Sequence, residues 1–420
     1  MLLLYLIAAS AFAQVPEQAR LSFAGQEHRY LHSGGTGSAV LLVLPSDPAN
    51  ALAEFKGWND LAAEHNWLLV MPQSSVIGDP GVALLGALVD AVRERFSVPS
   101  SPVYLASAGA MAGMIFYAVS RAPHLWTAAL AIGGSPKPAL DSDRVFAANT
   151  ALVPTAWAVT PEEKAANSTH YQKMITAGFN LTVLDTTPIP QAIQFLAKAQ
   201  HDPLPRKIDC ETGNPRLARC YWIVSTEFDA SLRNDALRTT RIAPDAQASL
   251  DLGAFGYQLT RPGPGVVVEY LPPDYKGPLQ LNDRILALSD TPIADAKHYV
   301  DLMTRVTAEK PVAVTIERLE KTKDRGKDRM AKDRIRLVSR YQLRKREEVL
   351  TARVQAEYIA DTHEIVIVSR TVASLKILVP AAWTPASINW NGDPVAQPQG
   401  PGCLLLSLKN PGSAQPCTFP

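Results

Sequence analysis

Hydrophobic and polar positions between residues 39 and 199 follow two alternating patterns. Continuous apolar runs of strand length occur at 39–45, 67–72, 103–106, 127–132, 155–159 and 180–184. Segments with helical spacing separate them, at 58–65, 82–96, 111–121, 165–177 and 190–199. Apolar strands that alternate with helices are typical of a parallel sheet covered on both faces. We therefore predict an α/β domain over residues 14–205.

Beyond Arg206 the pattern changes to short strands separated by turns. Strand-like segments lie at 220–225, 353–358, 364–369 and 375–379, and Asn391-Gly392 is a tight-turn signal. Between them lies a separate unit, at about 250–348. The pattern predicts a β-rich, sandwich-like domain formed by residues 206–249 and 349–420 and interrupted by an inserted module.

The first thirteen residues have the pattern of a secretory signal. Residues 1–13 form an apolar stretch too short to span a bilayer, and Ala11 and Ala13 supply small residues before Gln14. The alternative is a buried amino-terminal strand or helix. We expect an exported protein, secreted or periplasmic. No later stretch is apolar enough for a transmembrane helix, so stable membrane insertion is not expected.

Composition narrows the function further. The chain has 420 residues, 47% of them hydrophobic and 19% charged, which is typical of packed globular protein. Its formal net charge of +1 gives no support for a nucleic-acid partner or a membrane-surface role. Residues 317–348 nevertheless contain 13 basic and seven acidic residues. A solvated hairpin tip or mobile loop is the expectation there, and a polyanion site is the alternative.

Four cysteines become informative if the protein is exported. Cys210 and Cys220 flank a turn-rich run, so they are expected to face each other across a hairpin, and Cys403 and Cys417 flank a second Gly/Pro-containing loop. Local pairing is the simplest of three connectivities, and four free buried thiols are the alternative. No ligand spacing accompanies them, so no metal is expected.

The amino-terminal domain resembles a known enzyme superfamily. The resemblance rests on Gly57-Trp58 and on the segments 61–73, 88–98, 102–105 and 121–126. They are similar to the α/β-hydrolase superfamily, in its polyhydroxybutyrate depolymerase and feruloyl esterase branch. The resemblance implies a nucleophile elbow, G-x-S-x-G, after the strand that begins at Val103.

The residues at that elbow do not match the hydrolase pattern. Counting along the segment 103–114 puts Gly109 at the nucleophile position, with Ser107 and Met111 at the flanking glycine positions. Glycine has no nucleophilic atom, so no catalytic residue is expected there. Ser107, two residues early, is the nearest hydroxyl and the alternative nucleophile.

The other catalytic positions have changed as well. Glu162 could replace the triad aspartate, and a solvated first-turn carboxylate is its simpler interpretation. The loop 185–190 has no imidazole, and His201 falls in the linker marked by Pro203 and Pro205. The oxyanion segment reads Pro-Ser-Asp at 45–47. The remaining histidines of this domain that follow helical patterns are expected on helix surfaces: His65, His124 and His170.

The inserted module resembles a PDZ domain over residues 250–346. The matching segments are 253–259, 265–271, 277–289, a helix at 294–306 and a strand at 312–318, with Asn282 in place of a usual glycine. The resemblance implies a groove that binds a peptide or protein C-terminus. The residues that it implies for this groove are Ala254, Phe255, Gly256, Tyr257 and His298, with Lys297 as a second helix residue. The alternative is a module that packs against its neighbours and binds nothing.

Together these features predict an exported, non-catalytic protein, a pseudo-esterase, that carries a peptide- or protein-binding module and needs no cofactor. An active serine carboxylesterase that uses Ser107 is the alternative. A third hypothesis is carbohydrate or polymer binding on Trp383 and Trp390, for which core packing is the simpler use. The oligomeric state stays open.

Overall fold

The computed structural model of the chain describes residues 16–34, 37–74, 76–185, 188–242, 248–250, 252, 255–257, 261–271, 275–305, 312–323, 330–341, 343–345, 350–409 and 414–420. The predicted signal peptide, residues 1–13, lies outside them. The chain divides into two compact units, Met1–Ile242 with Leu350–Pro420, and Ala243–Val349. Within the described residues, no helix combines the length and apolarity needed to cross a membrane.

The first sheet and its helices occupy the amino-terminal part of the first unit. Its strands are β1 (Glu17–Phe23), β2 (Gln26–His32), β3 (Ala39–Leu44), β4 (Trp67–Pro72), β5 (Val103–Ala108), β6 (Ala128–Ile132), β7 (Thr155–Ala158) and β8 (Leu181–Leu184). Its helices are α1 (Ala51–Glu64), α2 (Gly78–Arg95), α3 (Ala112–Arg121), α4 (Lys137–Asp141), α5 (Ala147–Ala151), α6 (Pro161–Ala166), α7 (Ser168–Ala177) and α8 (Ile189–Ala197).

The strands follow the order β1-β2-β4-β3-β5-β6-β7-β8. The hairpin of β1 and β2 is antiparallel and joins β4 antiparallel, whereas β4, β3, β5, β6, β7 and β8 run parallel. This mostly parallel sheet, with helices between its strands, is the α/β architecture that the sequence predicted. The hairpin of β1 and β2 was not predicted, because its half-exposed strands lack a continuous apolar run.

Strand β3 shows why the central strands are apolar throughout. Val40, Leu42 and Leu44 enter one hydrophobic core, and Leu41 and Val43 enter the other. Since successive side chains point to opposite faces, a strand covered on both sides needs an apolar residue at every position. Each fully buried Val or Leu side chain contributes about 1.5–3 kcal/mol.

Helices cover the two faces of this sheet separately. Buried residues of α2, α3 and α7 pack into the first core, and buried residues of α1 and α8 pack into the second. In α2 the positions Val82, Leu85, Val89 and Val92 repeat at helical spacing and are all buried. The predicted helix at 165–177 is two helices, α6 and α7, which meet at Asn167.

The rest of the chain is rich in strands. The first unit continues with β9 (Lys207–Thr212), β10 (Arg219–Cys220) and β11 (Ile223–Phe228). The second unit contains β12 (Ala248–Leu250), β13 (Val266–Val267), β14 (Arg284–Leu288), β15 (Thr291–Pro292), α9 (Ala296–Arg305), β16 (Val312–Lys323), β17 (Met330–Tyr341) and β18 (Leu343–Lys345). The first unit then resumes with β19 (Ala352–Ile359), β20 (Glu364–Arg370), β21 (Val372–Val379), β22 (Ser387–Trp390), β23 (Asp393–Ala396), β24 (Gly402–Ser407) and β25 (Gln415–Cys417).

Two β-sheets of the first unit share one hydrophobic core. Their strand orders are β10-β11-β21-β24-β25 and β23-β22-β20-β19-β9. The predicted single strand at 220–225 is two strands, β10 and β11, separated by Tyr221 and Trp222, and the φ of Tyr221 is +48°. Trp390 is fully buried and Trp383 stacks on Tyr358 with ring centroids 4.6 Å apart. Trp383 and Trp390 are therefore core residues, and neither offers the exposed stacking surface that carbohydrate or polymer binding would need.

Both predicted cysteine pairs are disulfide-bonded. Cys403 and Cys417 are register partners in β24 and β25, with Cα atoms 5.0 Å apart. Cys210 and Cys220 have Cα atoms 6.1 Å apart, but they do not face each other across one hairpin. Cys210 lies on β9 and Cys220 on β10, and these strands belong to different sheets. This disulfide therefore joins the two sheets.

The second unit is built around a sheet of order β13-β14-β16-β17, with β15 paired to β14. Its core includes Ile285, Val314 and Ile316 of the sheet and Tyr299 and Met303 of α9. The turn before β14 is fixed by the buried carboxylate of Asp283, which accepts hydrogen bonds from Arg318 Nε at 2.8 Å and Nη2 at 2.6 Å. In that turn Asn282 has a φ of +71°, a left-handed conformation that asparagine tolerates in place of glycine.

Candidate functional site

The turn after β5 is where a hydrolase of this fold would hold its nucleophile. β5 lies between β3 and β6 and ends at Ala108, and a short 3₁₀ turn at Gly109–Met111 leads into α3. Gly109 is exposed and has a φ of +67°. A Cβ added there would meet no atom within 4 Å. Gly109 thus has a left-handed backbone conformation and open space beside it, and it has no side chain.

Close backbone packing supports this turn from the neighbouring strand. A Cβ added to Gly134, just after β6, would lie 2.2 Å from the Gly109 carbonyl oxygen and 2.9 Å from the Ala112 Cβ. Its φ of +67° also favours glycine. Gly134 therefore allows the backbone after β6 to approach the turn.

Ser107, the alternative nucleophile, lies inside the sheet. It is 0% exposed, and its Oγ donates a hydrogen bond to the Leu44 carbonyl oxygen at 3.0 Å. A buried hydroxyl that donates a hydrogen bond to a carbonyl oxygen of the neighbouring strand has a structural role. Nucleophilic attack would require the hydroxyl to break this bond and reach the solvent-exposed edge.

The loop between β3 and α1 carries negative charge. The Ser46 backbone N–H donates to Glu54 Oε2 at 2.9 Å, and its hydroxyl donates to Oε1 at 2.5 Å. Asp47 Oδ1 accepts the Ala49 N–H at 2.9 Å and caps the next turn. In α/β-hydrolases one oxyanion-hole donor comes from the corresponding loop. Here the Ser46 N–H is already bonded to a carboxylate.

The segment after β7 contains two acids in the first turn of α6. Glu162 is exposed. Glu163 forms a capping box with Thr160, in which Thr160 Oγ1 accepts the Glu163 N–H at 3.2 Å and Glu163 Oε2 accepts the Thr160 N–H at 3.1 Å. Both acids therefore stand where acids stabilise a helix start.

The histidine nearest in sequence to the expected triad position is at the other end of the sheet. His201 Nδ1 lies 2.8 Å from Thr127 Oγ1, which accepts the Val103 N–H at 3.2 Å. Val103 begins β5 and Gly109 follows its end, so His201 is at the amino ends of the strands. Burial, with the nearby Arg93 charge, lowers the pKa of His201. His201 cannot serve a nucleophile at Gly109.

His124 differs from the expected surface residue. It lies in a 3₁₀ turn after α3, and its Nδ1 is buried without a hydrogen-bond partner among the described residues. Burial and the adjacent Arg219 charge lower the pKa of His124 to about 3. It is neutral at physiological pH and remote from the turn at Gly109, which precedes α3.

Three of the predicted peptide-binding residues of the second unit are described next to α9. Gly256 exchanges backbone hydrogen bonds with Tyr270, donating at 2.8 Å and accepting at 3.2 Å. Phe255 and Tyr257 flank it, and the Tyr257 ring meets the Tyr299 ring of α9 edge to face at 5.7 Å. Burial raises the pKa of Tyr299. Ala254 lies outside the described residues.

His298 takes part in the start of α9. Its backbone N–H donates to Asp295 Oδ1 at 2.7 Å, and its Nδ1 accepts the Ala294 N–H at 3.1 Å. Since Nδ1 acts as an acceptor, a neutral ring carries its proton on Nε2. The ring is thus oriented by the helix start and keeps one N–H donor.

An open groove of about 960 Å³ was not anticipated from the sequence. Hydroxyl-bearing residues of α7 and of a segment after β11 line it, among them Ser168, Thr169, Thr176, Thr239 and Thr240. The two segments are far apart in the chain, and neither has a recognisable motif. Within the described residues, no cluster of three or more His, Cys, Asp or Glu side chains is arranged to hold a metal.

The sheet topology defines a mixed α/β domain built on a mostly parallel sheet, with a short turn after β5 that leads into α3. No family model matches the chain, and no curated protein matches it. Solved structures similar to part of it include poly(aspartic acid) hydrolase-1 from Sphingomonas sp. KT-1, at 14% identity, over 44% of this chain and 98% of that one, with a TM-score of 0.33. A lipase/esterase from Lactobacillus plantarum matches at 14% identity, over 44% and 97%, with a TM-score of 0.34. The HSL-homolog EstE7 from a metagenome library matches at 13%, over 45% and 82%, with a TM-score of 0.31. At these values the similarities carry no conclusion about activity.

Proposed function

We propose that this is an exported, non-catalytic protein with a hydrolase-like fold, whose second unit binds an extended peptide or a protein C-terminus. The observation that carries the non-catalytic part is the turn after β5. Gly109 has no nucleophilic atom, and the hydroxyl of Ser107 is buried and bonded to Leu44. The loops that follow β5, β7 and β8 contain no histidine to act as a general base.

Charge around the turn supports the same proposal. Acyl transfer needs hydrogen-bond donors where negative charge develops. In the β3–α1 loop the Ser46 N–H and hydroxyl both bond to Glu54, and Asp47 adds a second carboxylate. An oxyanion at this edge would meet negative charge.

Ester hydrolysis tests this part of the proposal. With p-nitrophenyl butyrate, the wild-type protein should give rates at the protein-free background, and Ser107→Ala should change nothing. The matched variant Gly109→Ser adds a hydroxyl in open space, and we expect it to stay folded and to give no turnover, because no imidazole reaches it. Turnover that Ser107→Ala abolishes would establish the alternative, a serine carboxylesterase.

The arrangement of Phe255–Tyr257 beside α9 supports the proposal that the second unit binds a peptide. Extended peptides bind as an added strand beside a helix, and loop N–H groups take up a terminal carboxylate. Here the residues Phe255–Tyr257 contact α9 through the Tyr257 and Tyr299 rings, and His298 keeps a ring N–H donor at the start of that helix. We assign Ala254, Phe255, Gly256, Tyr257 and His298 to the proposed site.

Fluorescence anisotropy tests the binding part. A library of fluorescein-labelled decapeptides with free C-terminal carboxylates is titrated with the full-length protein. We expect a subset of the peptides to bind and amidation of their C-terminus to weaken binding at least tenfold. The variant His298→Ala should also bind the free-acid peptides more weakly than the wild type. Lys276→Ala, an exposed cation of the same unit, is the control and should bind as wild type. Equal binding of acid and amide peptides would refute capture of a C-terminus.

Export rests on residues 1–13 and is compatible with the two disulfides. Amino-terminal sequencing of the secreted or periplasmic protein should begin at Gln14.

A further inference from the structure

Much of the charge-dense tract of the second unit lies in two long antiparallel strands, β16 and β17, which form a ribbon. β16 and β17 pair over twelve positions, from Val312 with Tyr341 to Lys323 with Met330. The pairing of β14 with β16 ends at Glu317. Beyond it, among the described residues, β16 has only β17 as a neighbour. The ribbon therefore extends about 20 Å past the sheet, at roughly 3.4 Å per residue.

Strand pairing sorts the mixed charges of this ribbon by face. Register partners share a face, and alternate positions along each strand change face. The face that includes Val314 and Ile316 packs on the core of the unit. Along the described ribbon it holds one basic and two acidic residues, Arg318, Glu320 and Asp333.

The opposite face is strongly basic. Among the described positions of β16 and β17, the register puts on this face a single acid, Glu317, and six basic residues: Lys321, Lys323, Lys332, Arg334, Arg336 and Arg340. A tract that is mixed in sequence thus becomes one cationic face and one nearly neutral face. The near-neutral net charge of the chain conceals this local excess.

Exposed apolar residues interrupt the cationic face. Val338 is 68% exposed and Leu319 is 49% exposed, and the register puts both on the face with the six basic residues. A soluble polyanion can form ion pairs with the basic residues, but it has no apolar surface on which the exposed aliphatic side chains could be buried. An anionic lipid surface satisfies both, because headgroups attract the cations and the interface accepts apolar side chains.

We propose that this face of the β16–β17 ribbon docks on anionic lipid bilayers. Each Lys or Arg near an anionic bilayer adds about fivefold to affinity, and shallow burial of Leu319 and Val338 adds to it. The interaction is peripheral and falls as salt screens the cations. It is independent of the peptide site proposed beside α9.

Vesicle co-sedimentation with the full-length protein tests this proposal. Vesicles of phosphatidylcholine with 30% phosphatidylglycerol should bind the protein, and pure phosphatidylcholine vesicles should not. Lys321→Gln combined with Lys332→Gln removes one register pair of cations and should lower the partition coefficient about 30-fold. The matched control, Lys56→Gln with Lys276→Gln, removes two exposed cations elsewhere and should bind as wild type.

A second variant separates lipid from other polyanions. Leu319→Ser with Val338→Ser keeps every charge and should lower vesicle binding about tenfold while leaving retention on heparin unchanged. Circular dichroism confirms that the variants are folded. Three results would overturn the proposal. The wild-type protein does not bind the anionic vesicles, or the Lys56/Lys276 control loses as much binding as the ribbon variant. The third is that the Leu319 and Val338 changes leave vesicle binding unaltered and the protein binds heparin or duplex DNA more tightly.

Discussion

The carboxylate of Asp79, in the first turn of α2, accepts hydrogen bonds from two other segments of the first unit, α3 and the loop after β9. It accepts from Arg121 Nε at 2.8 Å, from Tyr117 Oη at 2.6 Å and from Asn214 Nδ2 at 2.8 Å. Burial alone would raise the pKa of Asp79, but the Arg121 charge and these hydrogen bonds outweigh it and lower the pKa. From the sequence, Asp79 could be interpreted only as a helix-start acid, because its partners lie up to 135 residues away.

Asp79→Ala should reduce the free energy of unfolding by about 3–5 kcal/mol at pH 7. It leaves the buried Arg121 guanidinium without its counter-charge. Urea denaturation measures the loss, and Tyr117→Phe, which removes one hydrogen bond, should cost only about 1 kcal/mol. Equal losses in the two variants would show that the ion pair adds nothing.

The pH dependence of this contribution has a definite sign. Because the folded pKa of Asp79 is below its ordinary value of 3.8, the stabilisation is present above that pH and is lost as pH falls through the folded pKa. The difference in stability between wild type and Asp79→Asn should therefore shrink below about pH 4.

At the scale of elements, β9 anchors both chain segments that border the inserted unit. Glu211 on β9 is buried and accepts hydrogen bonds from Thr239 Oγ1 at 2.6 Å, Thr240 N at 2.6 Å and Thr351 Oγ1 at 2.5 Å. Thr239 and Thr240 precede the insertion and Thr351 follows it. Arg370 Nη2 lies 3.5 Å from the same carboxylate. Because all these donors bond to the one carboxylate of Glu211, the chain segments before and after the insertion are both held against β9.

Glu211→Gln should reduce the free energy of unfolding by at least about 3 kcal/mol, since several hydrogen bonds to a buried charge are lost or reversed. Hydrogen exchange at the Thr240 amide, which donates to Glu211, should accelerate. Glu357→Gln is the matched control, because Glu357 pairs with the exposed Lys207 and should cost under about 1 kcal/mol. Unchanged exchange at Thr240 would contradict the anchoring role.

Some elements could be predicted from local signals alone. Asn391 and Gly392 have φ values of +52° and +93° between β22 and β23, as their tight-turn signal indicates. The strand Trp67–Pro72 has the predicted bounds. By contrast, the direction and partners of β10 and β11 depend on which distant strand each one meets.

For the whole molecule, the division into two units has a consequence that can be measured. Thr240 and Thr351 bond to the same carboxylate, so the ends of the first unit that border the second are adjacent. The second unit is therefore an insertion whose two connections to the first unit start from adjacent points of that unit. The first unit does not need such an insertion for its own core.

Replacing residues 243–349 with a linker of about six Gly and Ser residues should leave the first unit folded. We expect its thermal unfolding midpoint to stay within about 3 °C of the corresponding transition in the full chain, measured by calorimetry, and its disulfides to form. An aggregated or unfolded product would show that the first unit depends on the insertion.

The sequence by itself determined the alternation of elements, the tight turns and the absence of a nucleophilic atom at Gly109, because periodicity and residue chemistry are local. Only the tertiary structure decided that Ser107 is bonded to Leu44, that Cys210–Cys220 joins two sheets and that Trp383 and Trp390 are core residues. It also sorted the mixed charges of β16 and β17 onto two faces. These properties depend on pairings between residues far apart in the chain, where burial and register are set by long-range contacts and no local pattern records the partner.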